Sequence, residues 1–257
     1  MGVAETCAGA SAACTTILKY IVPTLGGMSA VFLCMSPLPT VNRCLEAGTT
    51  GAVNTLPYAL QVVNTLGWVV YSWYLKDYFV FVPNTIGYIA SLYFTLMLLP
   101  ITPAKTRTTA IRLLVGLTAL LVTSVGFVYI TDVAHETGDL IMGSLANLFL
   151  IIFFGSPLMV FYTVIKNKDA STLDSLLTFA TITNCILWTA YGFALQNWFI
   201  AAPNGVGLIF GLIQLFLLLK YKKRRDLGSP DRSTPETLVP ELEEGIAAEN
   251  MELMKSN

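Results

Sequence analysis

Asn64, Trp68 and Tyr71 stand at i, i+4 and i+7, the spacing that puts three side chains on one face of a helix. The same three types return at Asn184, Trp188 and Tyr191, and each set is followed by a Pro-Asn pair, Pro83-Asn84 and Pro203-Asn204. A neutral amide offers donors and an acceptor together, as a hydroxyl group does. An indole face can lie against the apolar C–H face of a hydroxylated ring. These types suit the holding of an uncharged, polyhydroxylated molecule, with no bond made or broken. No nucleophile–base pair, metal cluster or Gly-rich phosphate loop accompanies them, so neither an enzyme, a metal nor a cofactor is expected. The single histidine, His135, falls in a predicted loop, where a solvated role accounts for it.

Each of these residues has a plainer use when it stands alone. Asparagines bridge membrane helices, or satisfy carbonyls that a nearby proline has freed. Tryptophans form belts at membrane interfaces. Recurrence at matched depth is what favours ligand contact, for Asn84 and Asn204 first, then Trp68 and Trp188, then Asn64 and Asn184.

The elements that must position them are long apolar blocks. Of the 257 residues 54% are hydrophobic and 12% charged, about half the charged share of an average soluble domain. Seven blocks, about Tyr20–Val41, Ala52–Trp73, Tyr78–Leu99, Thr109–Ile130, Leu140–Ile165, Thr172–Ala194 and Trp198–Leu219, each approach the roughly 20 residues that cross a hydrocarbon core. Backbone groups must be paired in lipid, so the blocks are predicted helices of an all-α membrane protein. Asn64 then lies about 12 residues, or roughly 18 Å, into the second helix, and Asn84 about 6 residues, roughly 9 Å, into the third. Entering from opposite sides, they reach similar depths.

The chain also repeats itself. Ser36-Pro37-Leu38 meets Ser156-Pro157-Leu158 at an offset of 120, and Asn64, Trp68, Tyr71, Pro83-Asn84 and Gly87 meet their partners at the same offset without a gap. Chance likeness among apolar segments would select Leu and Val rather than Trp, Asn and Pro. Three helices reverse sidedness, and the unmatched fourth restores it. The prediction is seven transmembrane helices as 3+1+3 parallel repeats, with a substrate site expected near the midplane between the repeats. In residues, this gives an extracellular N-terminal segment (1–19), a first three-helix repeat (20–100), a linker helix with its loops (101–135), a second repeat (136–220) and a tail (221–257).

Lys220-Tyr221-Lys222-Lys223-Arg224-Arg225 is the densest basic run, which places the C-terminus in the cytosol and the N-terminus outside. The tail, rich in Pro, Ser, Thr and Glu, reads as disordered, with Ser229-Pro230 and Thr234-Pro235 as candidate phosphorylation sites. Met1-Gly2 fits a loose myristoylation pattern that this topology disfavours. A net charge of −1 offers nothing to nucleic acid. The partners expected are a small solute and membrane lipid, with the plasma membrane as the default location. Cys7, Cys14, Cys34, Cys44 and Cys185 show no CxxC spacing and are expected to pack, without disulfide or metal roles.

The predicted helix centres hold no Asp, Glu, Lys, Arg or His, whereas ion-driven carriers keep an ionisable group there. Arg112, Asp139 and Asp174 fall near helix ends, where snorkelling or capping accounts for them. Downhill, uncoupled transport is the function expected. The alternatives are a seven-helix receptor, which would not need the repeat, and a related carrier for another small neutral metabolite. Pro37, Pro57 and Pro157 fall in the cytosolic third of helices one, two and five, where each would remove a backbone hydrogen bond and permit a hinge.

Ser36-Pro37-Leu38-Pro39-Thr40, Leu56-Pro57-Tyr58, Asn84 with Gly87, Trp188-Thr189-Ala190-Tyr191-Gly192 and Pro203-Asn204-Gly205-Val206-Gly207 together resemble the SWEET sugar transporters, from about Met28 to Tyr221. That family is itself an instance of parallel repeats. The resemblance implies facilitative, bidirectional uniport of mono- or disaccharides by alternating access, often as homo-oligomers. It implies sugar-binding asparagines at Asn84 and Asn204, aromatic residues sandwiching the sugar at Trp68 and Trp188, and pocket positions at Asn64 and Asn184. It also implies an extracellular gate at Tyr71 with Lys76, and hinge prolines at Pro37, Pro57 and Pro157. Two positions depart from the pattern. Leu177 stands where a fourth proline belongs, and Asn197 replaces the acidic gate residue expected before helix seven.

Overall fold

The computed structural model describes Cys7 and residues 12–221, with Ala12 and Ser156 by their backbone alone. The described residues contain no strand. The chain enters as α1 (Ala12–Thr16), runs through a π-turn (Ile17–Ile21) into α2 (Val22–Met35), breaks at Ser36-Pro37 and resumes as α3 (Leu38–Glu46). Then follow α4 (Leu56–Leu75), α5 (Tyr78–Leu98), α6 (Ala104–Ile130), α7 (His135–Asn167), α8 (Ser175–Ala194) and α9 (Trp198–Tyr221). Counting α1 to α3 as one crossing, these are the seven expected helices. The tail expected from residue 221 lies outside the described residues except for Tyr221, which ends α9. The candidate phosphorylation sites and Gly2 also lie outside them.

Six of the seven spans are long and apolar enough to cross a membrane by length and composition. The exception is α4, whose sequence is diluted by Gln61, Asn64, Thr65 and Ser72. Ten of its twenty residues are buried inside the protein, so protein rather than lipid is its main surrounding. The one span that falls short is thus half enclosed by protein. Met28, Ile89, Val115 and Phe216, by contrast, are exposed on outer faces, as lipid contact requires.

Packing repeats across the two halves. Within each half the second and third helices lie together, α4 on α5 and α8 on α9. Between halves, the first helix of one packs on the second of the other, α2 on α8 and α7 on α4. The linker helix α6 lies against α4 and α7, outside this exchange.

Two expectations about the chain's ends and turns are corrected. Cys7 and Cys14 form a disulfide, with Cα atoms 5.9 Å apart across a separation of seven residues. Cys7 is buried against Ala194, and Cys14, Leu18 and Leu195 complete that small cluster, so the bridge fastens the N-terminal segment to the end of α8. A reading by motif could not find it, because only the fold brings the two together. Cys34, Cys44 and Cys185 are free. The second correction concerns Pro57, which lies in the first turn of α4, since that helix starts at Leu56 rather than Ala52. An amide in the first turn has no intrahelical acceptor, so Pro57 removes no helix bond.

Candidate functional site

All six predicted pocket residues, Asn64, Trp68, Asn84, Asn184, Trp188 and Asn204, line one cavity of about 680 Å³ between the halves. That volume falls within the range of small-molecule pockets, about 300–1,000 Å³. Val80 and Ile200 cap it at the end bearing Tyr71 and Tyr191. It extends the other way to Ser36, Pro37, Tyr58 and Asn54, and Asn54 is exposed, so this is its mouth.

Close helix approach puts the asparagines there. A Cβ on Gly87 would stand 2.8 Å from Cys34 Sγ and 3.2 Å from Thr65 Cγ2, and one on Gly207 would stand 2.9 Å from Cys185 Sγ. Only glycine lets α5 and α9 come this near, one turn beyond Asn84 and Asn204. Each of those asparagines anchors one amide hydrogen on its own helix, Asn84 Nδ2 to Val80 O and Asn204 Nδ2 to Ile200 O, both at 2.8 Å. The second N–H and the carbonyl remain for a ligand. Asn64 Oδ1 and Asn184 Oδ1 are buried and accept no hydrogen bond. A buried acceptor without a partner costs about 1–3 kcal/mol, and here the same orphan occurs in both halves. Trp68 and Trp188 each turn an edge to the following tyrosine, with centroids 6.0 Å from Tyr71 and 5.8 Å from Tyr191.

Beyond Val80 and Ile200 the cavity is closed by two crossed ties. Asn197 Nδ2 donates to the Tyr71 hydroxyl at 3.0 Å, and the Tyr191 hydroxyl donates to Asp77 Oδ2 at 3.0 Å. Each tie joins the second helix of one half to the start of the third helix of the other. Asp77 and Asn197 also cap those helices, Asp77 Oδ1 accepting from the Phe79 and Val80 amides and Asn197 Oδ1 from Ile200 N. Burial pushes the Asp77 carboxyl above the usual aspartate range, against the pull of its hydrogen bonds. Lys76 is outside both ties. It holds the left-handed turn between α4 and α5, with φ +58°, and its exposed side chain lines a separate shallow pocket with Trp73, Tyr78, Tyr129 and His135.

Sequence reasoning paired Tyr71 with Asn197 and missed the second tie. The offset of 120 contained it, since it carries Tyr71 to Tyr191 and Asn197 back to Asp77. It also missed Gln61, Tyr58 and Phe153 in the cavity wall. Phe153, at the offset from Leu33, lines the cavity as Leu33 does. Helix phase decides which residues face the cavity, and block boundaries alone do not give it.

The three prolines differ in what they do. Pro37 breaks the first crossing, and Leu33 O, deprived of its i+4 donor by Pro37, accepts instead from Ser36 N at 3.3 Å and the Ser36 hydroxyl at 2.8 Å. Pro157 lies inside an unbroken α7. Pro57, as noted, costs α4 nothing. The described residues bring no three His, Cys, Asp or Glu side chains together in a way that could hold a metal ion.

Comparison with known proteins places this arrangement. The family described as "Sugar efflux transporter for intercellular exchange" matches the chain twice, over residues 21–106 and 140–226. The bidirectional sugar transporter SWEET2a of Oryza sativa subsp. indica is 32% identical over 216 residues, covering 82% of this chain and 86% of that protein. The bidirectional sugar transporter SWEET10 of Arabidopsis thaliana is 25% identical over 209 residues, covering 80% of this chain and 72% of that one. The solved structure of a eukaryotic SWEET transporter superposes with a TM-score of 0.72 at 28% identity, covering 81% of this chain and 98% of that chain.

Proposed function

The chain belongs to the SWEET family of sugar transporters, and from that premise we propose that it carries sugars through the cavity between its halves, one side at a time. The family's work is transport rather than catalysis. The observation that carries the mechanism is the cavity itself. Both halves contribute the same amides and indoles to it, two tyrosine ties seal one end, and the other end has a mouth at Asn54.

In this reading Asn84 and Asn204 hold sugar hydroxyls with their free amide groups, and the orphan oxygens of Asn64 and Asn184 accept from others. Trp68 and Trp188 cover the ring faces. Transport proceeds as the ties at Tyr71 and Tyr191 open while the Pro37 end closes. Pro37 and Pro157 serve as hinge points, and the units that move are residues 20–100 and 136–220, joined by the linker over 101–135. The Pro37 end faces the cytosol and the tied end faces outside, in the plasma membrane. A disulfide at Cys7–Cys14 supports that side for the N-terminus, because such bonds persist in oxidising compartments. Among the described residues no Asp, Glu, Lys, Arg or His lines the cavity, which supports uncoupled, downhill flux in both directions.

The test is flux of radiolabelled glucose and sucrose in proteoliposomes, in both directions, with no ion gradient. Downhill movement of either sugar is expected. Asn84→Ala and Asn204→Ala should each abolish it while leaving insertion and folding intact. Full transport in both variants would remove these residues from the site, and flux that follows an imposed proton gradient would overturn the uncoupled mechanism.

A further inference from the structure

The two ties differ in one atom type, and the difference leaves a hydrogen bond to be assigned. In the second tie Tyr191 gives its proton to the carboxylate of Asp77. In the first, residue 197 is an amide. Its Oδ1 is engaged by Ile200 N at 3.2 Å, which turns Nδ2 towards Tyr71 at 3.0 Å. Asn197 is thus the donor, and Tyr71 keeps its own proton. The remaining route for that proton within the tie is the 3.3 Å approach to Asn197 Oδ1, which competes with Ile200 N for the same oxygen.

Asp139 lies beside this tie. As expected it is near a helix end, four residues after α7 begins at His135. Asp139, Met142, Gly143 and Ala146 share one face of α7, at i, i+3, i+4 and i+7. Met142 and Ala146 are buried in the cluster that holds Tyr71. Gly143 abuts Phe199, whose ring lies 5.9 Å from that of Tyr71, and the neighbouring Gly138 abuts Tyr74. This face directs the Asp139 carboxyl at the tyrosine tie, within interaction range of the Tyr71 hydroxyl. Its Oδ1 is buried and accepts no hydrogen bond.

We propose that Asp139 is the acid of the first tie, a positioning residue that accepts the Tyr71 proton and so completes a relay from Asn197 through Tyr71 to Asp139. The carboxylate absent at position 197 is supplied from α7 instead. This matters for transport because it brings a third helix into the seal. Opening the first tie then requires α7 to part from α4, whereas the second tie involves only α8 and the start of α5. The inference rests on the reading of the ties as a gate.

The experiment separates the two claims. Val80→Cys places a reporter beneath the ties, and its reaction with a membrane-impermeant maleimide is followed from the tied side in the reconstituted full chain, above the rate of the chain without the reporter. Asp139→Asn keeps the shape and removes the charge. It should raise the labelling rate by about tenfold, the shift expected from losing one charge-assisted hydrogen bond. The exchange Asp139→Asn with Asn197→Asp reverses donor and acceptor around Tyr71 and should bring labelling back to within about twofold of the parent, since the same bonds are remade. A merely structural aspartate would not be rescued by an acid on another helix. Unchanged labelling in Asp139→Asn would overturn the proposal, and so would raised labelling that the exchange leaves raised. Absence of sugar flux in the parent would sink the transport reading and leave the labelling comparison standing.

Discussion

The two halves of this transporter are near copies at one end and strangers at the other. At the tied end the matches extend to backbone detail. Lys76 and Gln196 both adopt left-handed conformations, with φ +58° and +55°. The turns they hold close on matching bonds, Asp77 N to Ser72 O at 2.9 Å and Asn197 N to Gly192 O at 2.8 Å. At the mouth the equivalent positions use different chemistry. Tyr58 meets Phe94 edge to face at 6.5 Å, while their counterparts are a hydrogen bond from Gln214 to Thr178 Oγ1 at 2.9 Å. The first crossing breaks at Pro37, and α7 passes Pro157 unbroken. The difference follows from who touches whom. At the tied end each half completes a bond begun by the other, so a change on one side must be answered across the interface. The mouth contacts just described lie within a single half, so each half was free to settle them separately.

That comparison can be broken most sharply at the two glycines. Gly87→Ala and Gly207→Ala should each destabilise the protein by about 1–3 kcal/mol, the usual cost of overpacking, read from unfolding temperatures in detergent. The obstructing atoms differ, Cys34 Sγ from the first helix in one half and Cys185 Sγ from the second helix in the other. Cys34→Ala should therefore rescue Gly87→Ala alone, and Cys185→Ala should rescue Gly207→Ala alone. Cross-rescue would mean that the halves are mechanically one body.

Next in size is Asn147. Pro203 leaves Phe199 O without its helical donor, and Asn147 Nδ2 supplies one at 3.1 Å, as well as bonding Gly143 O at 2.9 Å. The first half has Gly27 at the equivalent position, packed against Pro83 with no donor to give. Asn147→Ala should cost about 1–2 kcal/mol, at the upper end of interhelical hydrogen bonds in membranes. Gly27→Ala, whose Cβ would sit 3.6 Å from Pro83 Cγ, should cost nothing and add helix propensity. Equal losses in the two variants would show that the freed carbonyls carry no separate penalty.

How far the sequence reached depends on whether a property is carried by pattern or by phase. Seven apolar blocks and an offset of 120 carried the architecture, because lipid constrains length and pairing so strongly. Asn64, Trp68, Asn84 and their partners were readable because polar and aromatic residues stand out against Leu and Val. Most of what was missed needed three dimensions. Cys7 and Cys14 lacked a spacing motif, Phe153 on the cavity wall was a matter of helix rotation, and Asp139 took its meaning from the α7 face it shares with Met142 and Ala146. Asp77 is the instructive miss. Its signal is present in the repeat, because the offset of 120 carries position 197 back to it.

The smallest predicted effect lies where each second helix begins. In the first half Asn54 Oδ1 accepts from Leu56 N at 3.1 Å and Pro57 follows, with no N–H to satisfy. In the second half the equivalents are Asp174 and Leu177, and the Leu177 N–H donates to Asp174 Oδ1 at 2.9 Å as a conventional helix cap. The two starts solve the same problem, the unsatisfied first-turn amides, by deleting a donor in one case and supplying an acceptor in the other. Leu177→Pro removes the donor, keeps a backbone shape that a first turn accepts, and should cost about 1 kcal/mol through the lost cap. Pro57→Leu restores an amide in a turn that has no intrahelical acceptor for it, and should change stability by less. Unfolding temperatures of the two variants give the comparison directly. If Leu177→Pro were as stable as the parent, the Asp174 cap would be idle, and the missing proline would reflect no structural demand of the second half. If it lost stability and also slowed sugar exchange, the cap would be part of how the second half holds its shape at the mouth.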